Sequence, residues 1–277
     1  MHSSQASRVV LVTGASSGIG LACVELLSAR GHVVYGTSRH PPPEQPARYR
    51  LLELDVTRED SVRRAVDTVL EREGRIDVVV NNAGHALAGA LEDTSVEEAW
   101  RQLDTNVLGV FRVCKAVLPA MRARRSGRII NIGSLGGVVG LPFQGFYSAS
   151  KFALEGLTES LRQEVEAFGI QAALVQPGDV RTRLTDNRVR AKDSGEGSAY
   201  LAPFEKALGI IEKEERAGVP PEDVARCVLA LMDAGDMPVR VSVGKLAQRA
   251  AVVAKTLLPA KAFEGLLMSM YGLKRRG

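Results

Sequence analysis

A doubly wound α/β domain, built on a sheet of about seven parallel strands with helices on both faces, is predicted by three features of this sequence. Short apolar runs alternate with segments of helical spacing, which is the pattern of repeated βαβ units. The apolar runs lack strict alternation of apolar and polar residues, as expected for strands covered on both sides. A glycine-rich turn joins the first run to the first helical segment.

The predicted elements follow in order. Arg8 to Thr13 is a valine-rich first strand, and Gly20 to Arg30 has helical spacing. His32 to Thr37 and the weaker Leu51 to Leu54 are the second and third strands. Asp60 to Glu73 is a charged helix, and Ile76 to Val80 is the fourth strand, ended by Asn81-Asn82-Ala83-Gly84. Ser95 to Arg125 reads as one or two helices. Thr94 or Ser95 is placed to cap the first, with Glu97 and Glu98 in the opening turn, where carboxylates face the positive end of the helix dipole. Arg128 to Ile132, Ile170 to Val175 and Val239 to Val243 are the remaining strands, and Ser148 to Phe168 is a long helix. His40 to Pro46, rich in proline, reads as a surface loop. Thr182 to Ala199 is polar and follows a strand end, so residues 182–200 are expected to form a mobile lid.

Composition narrows the function. The chain has 277 residues, 45% hydrophobic and 25% charged, as in an ordinary globular protein. One domain over 1–277, with a helical extension over 245–277, accounts for it. The net charge of +4 is small and its basic residues are dispersed. The clusters at Arg122, Arg124, Arg125, Arg128 and at Lys274, Arg275, Arg276 read as solvated faces, so nucleic acid is not an expected partner. The three cysteines, Cys23, Cys114 and Cys227, have no metal-binding spacing and read as buried thiols. The short polar segment before Arg8 and the lack of a long apolar run predict a cytoplasmic protein.

The turn Thr13-Gly14-Ala15-Ser16-Ser17-Gly18-Ile19-Gly20 lies between a strand and a helix. Its glycines allow a sharp turn and a close approach to an anion, and the helix start offers free N–H groups to a pyrophosphate. This is the dinucleotide-binding site of a Rossmann-type domain. The second strand ends Gly36-Thr37-Ser38-Arg39 without the carboxylate that would meet a ribose 2′-hydroxyl. Arg39 can pair with a 2′-phosphate, with Ser38 and Ser16 adding hydrogen bonds, which points to NADP(H).

Tyr147 and Lys151, at i and i+4 near a helix start, share one face. A nearby ammonium favours the phenolate, so the pair suits proton transfer to or from an alcohol oxygen. Ser134 closes the fifth strand and faces the same crevice, because ligands sit at the carboxyl ends of strands in such sheets.

The spacing Thr-Gly-x-x-x-Gly-x-Gly, the Tyr-x-x-x-Lys pair and the serine 13 residues before the tyrosine resemble the short-chain dehydrogenase/reductase family. The matches run from about residue 8 to 182 in the family's order. The resemblance implies that Asn106, in Leu103-Asp-Thr-Asn-Val107, holds a water linked to the lysine. It implies that Asp55-Val56 contacts adenine and that Asn82, Ala83 and Gly84 border the cofactor. Pro177, Gly178, Val180 and Thr182 fall where the family binds the nicotinamide carboxamide. The cofactor contacts would therefore be Gly14, Ser16, Ser17, Gly18, Ile19, Gly20, Ser38, Arg39, these residues, Tyr147 and Lys151. The activity implied is carbonyl–alcohol interconversion with Asn106, Ser134, Tyr147 and Lys151 as the catalytic set.

Val138, Val139, Leu141, Pro142, Phe143 and Phe146 are expected to line the substrate pocket and to select a lipophilic carbonyl or alcohol. The tail from Leu246 to Tyr271 mixes apolar and basic residues at helical spacing. It reads as a flap over the pocket, a subunit contact or, less in keeping with its packing, a membrane-touching helix. A homodimer or homotetramer is implied by the family; Cys114, Val117, Leu118 and Met121 fit a helix face buried in such a contact, and core packing within one chain explains the same pattern.

Overall fold

The computed structural model describes residues 6–44 and 46–273; the basic cluster Lys274 to Arg276 lies outside them. Seven parallel strands form one sheet: β1 (Val9–Val12), β2 (Val33–Ser38), β3 (Arg50–Glu53), β4 (Val78–Asn81), β5 (Gly127–Ile132), β6 (Ile170–Pro177) and β7 (Arg240–Val243). Their spatial order is β3-β2-β1-β4-β5-β6-β7. The order reverses between β1 and β4, and the strand ends there open a crevice. Nine helices among the described residues cover the sheet: α1 (Gly18–Ala29), α2 (Glu59–Glu73), α3 (Val96–Leu103), α4 (Gly109–Arg124), α5 (Gly145–Val165), α6 (Leu201–Arg216), α7 (Pro221–Asp233), α8 (Leu246–Leu257) and α9 (Ala260–Met270).

The missing period-2 pattern has a direct cause. In β1, Val9 and Leu11 pack into a core with α2, α4 and α5, whereas Val10 and Val12 pack into a second core with α1 and α7. All four are buried. Each face of the central strands is thus apolar, whereas Val33, Arg50, Glu53 and Arg240 on other strands are exposed.

Ser95 is the cap of α3: its hydroxyl accepts from Glu98 N–H while the Glu98 carboxylate accepts from Ser95 N–H, a reciprocal pair that satisfies two orphan donors. α3 and α4 are joined without a break by a π-helical turn, Asp104–Leu108, which carries Asn106. The single predicted helical stretch is therefore one rod with a wide turn in its middle.

Cys114, Val117 and Met121 belong to the core between α4 and the sheet, with Leu118 packed against it. That stripe is spent within the monomer, so any subunit contact would use another face of α4. Cys23 and Cys114 are buried and Cys227 is half-buried. Burial pushes the thiols up to about 12, 12 and 11 respectively, so all three are inert at neutral pH.

Two helices not anticipated from the sequence, α6 and α7, complete the domain. α6 buries Phe204 and Leu208 in a small third cluster with Ala88, and Phe143 packs against it, 5.6 Å from the Phe204 ring. Phe143 is therefore a packing residue and not part of the pocket wall.

Gly20 shows how tightly the first turn closes. A Cβ there would lie 2.3 Å from the Gly14 carbonyl oxygen and 2.5 Å from Asn82 Nδ2. Alanine is the better helix former by about 1 kcal/mol, so propensity alone would favour the exchange. Gly20→Ala is expected instead to destabilise the protein by about 1–3 kcal/mol, because backbone must move to admit the methyl group. Urea unfolding measures it, and an unchanged or raised midpoint would contradict this packing.

Candidate active site

The turn after β1 is held open by its neighbours. Gly14 and Gly18 have φ of 66° and 56°, a region that favours glycine. Asn82, just past β4, donates from Nδ2 to the carbonyls of Thr13 and Gly14, both at 2.9 Å. The Thr13 hydroxyl accepts from the N–H groups of Asn82 and Ala83 at 2.9 and 3.0 Å. These bonds lock the ends of β1 and β4 together. The Leu21 N–H bonds back to Ser17 O, so the amides of Gly18, Ile19 and Gly20 are the orphan donors of the helix start.

A cleft of about 1360 Å³ runs from this turn across the strand ends. Its wall contains Gly14, Ser16, Ser17, Gly18, Ile19, Ser38, Arg39, Asp55, Val56, Asn82, Ala83, Gly84, Ser134, Tyr147, Lys151, Pro177, Gly178, Val180 and Thr182. The structure thus brings almost every anticipated site residue to one surface. Gly20 and Asn106 stand just behind it. Gly20 packs beneath the turn, and Asn106 Oδ1 is 3.0 Å from where a Cβ on Gly84 would lie. Asp55 holds its own loop, its carboxylate accepting from the N–H and hydroxyl of Thr57 at 2.9 and 2.7 Å.

Val180 is presented by a neighbouring segment. Arg181 N–H donates to Val219 O and Val219 N–H donates to Asp179 O, both at 3.0 Å. In a parallel bridge of this kind the N–H and C=O of Val180 itself point the other way, toward the cleft. Thr182 packs against Gly18 of the first turn.

Tyr147 and Lys151 leave the first turns of α5, both buried. Lys151 Nζ donates to Ile132 O at 2.9 Å and lies 6.0 Å from the Tyr147 ring centre. Gly136 and Gly137, past Ser134, let the loop press onto the helix. A Cβ on Gly136 would sit 3.2 Å from Tyr147 Cε1, and one on Gly137 2.9 Å from Lys151 O. The sequence reading missed both glycines, although a Gly-Gly pair following a strand end was the available signal.

The electrostatics differ from the expectation that Lys151 would lower the tyrosine. Burial pushes the Tyr147 phenol up, and its hydrogen bond with Ser134 only partly opposes this. Burial likewise brings the Lys151 ammonium down to about 8. Both groups sit in a dry wall, which favours neutral phenol and weakens the lysine charge. The protein alone therefore sets Tyr147 as a proton donor at neutral pH.

Asn106 is clamped by His85. Its Oδ1 accepts from His85 N–H at 3.1 Å, and its Nδ2 donates to His85 O and Ser150 Oγ, both at 3.1 Å. The π-helical turn that carries it shifts the backbone out of α-helical register, leaving carbonyl groups free to accept elsewhere.

The far half of the cleft was not foreseen. Val139 and Leu141 line it as expected, but Val138, Pro142 and Phe146 do not. The rest of the apolar wall comes from Ile210 and Ile211 of α6, Ala251 and Val252 of α8, and Phe263, Leu266, Leu267 and Met270 of α9. Of the alternatives for the tail, its inner face is a pocket flap. The predicted lid contributes Leu184, Thr185, Asn187 and Val189. It is tied down by a short parallel pair, Leu87–Ala88 with Val189–Arg190. A buried ion pair between Arg188 and Glu215 at 2.5 Å, with Arg188 also donating to Gln144 Oε1 at 2.9 Å, links it to α6 and the start of α5.

Asp179, Glu214 and Glu215 add a negative strip to the wall. Burial, then the nearby Glu215 charge, push the Asp179 carboxyl up to about 6, against a hydrogen bond from Gln248.

Residues 8–193 match the short chain dehydrogenase family. The chain belongs to that family. It is 46% identical over 267 residues to a 3-ketodihydrosphingosine reductase of Bacteroides thetaiotaomicron, covering 96% of this chain and 99% of that protein. It is 44% identical over 253 residues to estradiol 17-beta-dehydrogenase 1 of Rattus norvegicus, covering 82% and 71%. A crystal structure of a short-chain dehydrogenase from Streptomyces avermitilis superposes with a TM-score of 0.82 at 33% identity, covering 97% and 98%. The protein is an oxidoreductase of this family and acts on a small molecule.

The raised Asp179 carboxyl has a stability consequence. Its folded-state pKa, about 6, lies above its ordinary value, so the folded protein is favoured while the group is protonated. That advantage is complete below about pH 4 and is lost as pH rises through about 6. Asp179→Asn should therefore raise the midpoint of thermal unfolding at pH 8, by roughly 1 kcal/mol after solvent screening, and leave it unchanged near pH 4. Equal effects at both pH values would show that the carboxylate is not strained by its surroundings.

Proposed function

We propose that this protein is an NADPH-dependent reductase of a long-chain lipophilic ketone. The observation that carries the reading is the continuity of one cleft. The Ser134–Tyr147–Lys151 group sits where the nucleotide half ends and the apolar half, walled by α6, α8 and α9, begins.

The nucleotide half fits a dinucleotide phosphate. Its glycines leave room for close backbone approach, its orphan amides face the cleft, and Arg39, Ser38 and Ser16 line the end where a 2′-phosphate would lie. NADPH, when bound there, supplies the hydride. Ser134 and Tyr147 hold the substrate oxygen, and the buried phenol gives its proton to that oxygen as the carbonyl carbon gains the hydride. Lys151, fixed by Ile132 O, bears its charge against the nicotinamide ribose and the developing phenolate. The dry wall excludes water from the reacting atoms. Oxidation of the alcohol is the reverse.

The likeness to a 3-ketodihydrosphingosine reductase covers almost the whole of both chains, and the long apolar half suits an acyl chain. Glu214 and Glu215 are already paired with Lys245 and Arg188, whereas Asp179 accepts from the neutral Gln248 amide, so this wall favours a substrate with a cationic amino group near the ketone over a neutral steroid. Assembly into an oligomer would use the outward faces of the helical rod and α5, where Trp100, Phe111 and Phe152 are exposed.

Consumption of NADPH, followed by nicotinamide absorbance with 3-ketodihydrosphingosine and estrone side by side, tests the reading. Turnover is expected on the first and little on the second; preference for estrone would overturn the long-chain assignment. Tyr147→Phe should lower turnover by about a hundred- to ten-thousand-fold while NADPH still binds. Reduction in the wild type should decline as pH rises through about 8, where Lys151 loses its charge; a rate flat to pH 10 would remove that lysine from the chemistry. Arg39→Asp should invert the cofactor preference, raising the KM for NADPH about tenfold or more relative to NADH.

A further inference from the structure

The inner face of α8 is accounted for, and its outer face is not. Ala247, Gln248, Ala251 and Val252 turn toward the cleft. Leu246, Val253 and Leu257 fall on the opposite side at helical spacing, with 80%, 57% and 76% of their surfaces exposed. No residue of α8 is buried. Leu258 continues the stripe into the turn before α9. A single exposed leucine is ordinary, but this apolar stripe is directed away from the fold and is uncovered by the described residues.

The charge of the same segment says what would cover it. Residues 245–277 hold seven lysines and arginines and one acidic residue, Glu264, whereas the whole chain is only +4. The remaining 244 residues are therefore net negative, and the positive charge of the protein is concentrated in its last eighth. Lys245 is paired with Glu214 at 2.9 Å, and Lys255 donates to Val138 O. Arg249 lies beside the stripe, one turn from Leu246 and from Val253.

We propose that α8 lies in the surface of an anionic phospholipid bilayer, with Leu246, Val253 and Leu257 among the acyl chains and Arg249 at the headgroups. A helix with an apolar stripe, a cation beside it and a net positive segment fits that interface, and its affinity combines buried apolar area with attraction to anionic lipid. Among the described residues no helix is long and apolar enough to cross a membrane, so the contact is peripheral. A second copy is the poorer occupant, since a two-fold contact through this face would bring two strongly basic segments together. The inference does not depend on the substrate proposed above, and its test reads binding alone.

The experiment is co-sedimentation of the full-length protein with vesicles of phosphatidylcholine, alone or with about one-third phosphatidylglycerol, at low and high salt. The wild type is expected to sediment with the anionic vesicles at low salt, to be released about tenfold as salt rises, and to stay in solution with phosphatidylcholine alone. The variant L246S/V253S/L257S should lose about ten- to a hundredfold in vesicle affinity while its unfolding midpoint and NADPH binding persist. Should that variant fail to fold, Arg249→Glu, a single exposed charge reversal, takes its place and should weaken binding several-fold. Failure of the wild type to sediment with anionic vesicles, or equal binding by the variants, overturns the proposal. A wild-type dimer that the triple variant converts to monomer, without vesicle binding, assigns the face to self-association and also overturns it.

Discussion

The bridge that Asn82 makes between the ends of β1 and β4 is the constraint on which the nucleotide half of the site depends. One side-chain amide donates to two successive backbone carbonyls, Thr13 and Gly14, while the Thr13 hydroxyl accepts from two N–H groups past β4. Those carbonyls belong to a turn whose geometry denies them partners in the sheet. Left unpaired in a buried position, each would carry a desolvation cost of about 1–3 kcal/mol. With the bridge in place the turn curves away from the strand. α1 then begins directly above it, and the helix N–H groups converge on one point of the crevice. The absence of a side chain at Gly20 is the counterpart of the same contact.

A second constraint is dryness. Tyr147 and Lys151 are both buried against the loop of Gly136 and Gly137, and burial moves their acidities in the directions that disfavour charge. The carbonyl oxygen of Ile132 keeps the lysine nitrogen in position, so the ammonium is oriented before any ligand arrives. Preorganisation of this kind lowers the reorganisation needed when charge develops. In the mechanism proposed above the same environment suits Tyr147 to the role of acid, because burial raises its pKa and keeps the proton on the phenol.

How much of this was legible in the sequence depended on the range of the interactions. The turn at Gly14, the valine-rich strands and the capping box at Ser95 are each written within a few residues, and each lies where its local pattern placed it. The cleft residues up to Thr182 came from the family resemblance, because their meeting depends on strand order and not on spacing. The Arg188–Glu215 pair, the clamp of His85 on Asn106 and the raised pKa of Asp179 join residues far apart in the chain, which no local period encodes. For Phe143 and the stripe on α4 the sequence left packing and contact readings open for a related reason, and the structure gives packing. Apolar residues near a site look the same in sequence whether they face a ligand, a subunit or the core, and α6, which claims Phe143, had not been recognised.

The division of the cleft follows the division of the chain. The family match ends at residue 193, and it holds the glycine turn, Asn82, Ser134, Tyr147 and Lys151. The apolar wall comes largely from beyond that point, from α6, α8 and α9. A hydride transfer needs the first set in one geometry whatever the substrate, so those residues tolerate little change. The second set need only match a substrate's shape and polarity, and helices packed across an open cleft can be exchanged without disturbing the sheet beneath. In this protein a hydrophobic wall, a strip of carboxylates and a basic C-terminal segment stand at one end of the domain. Its reaction class is therefore read from the first two-thirds of the chain and its selectivity from the last third.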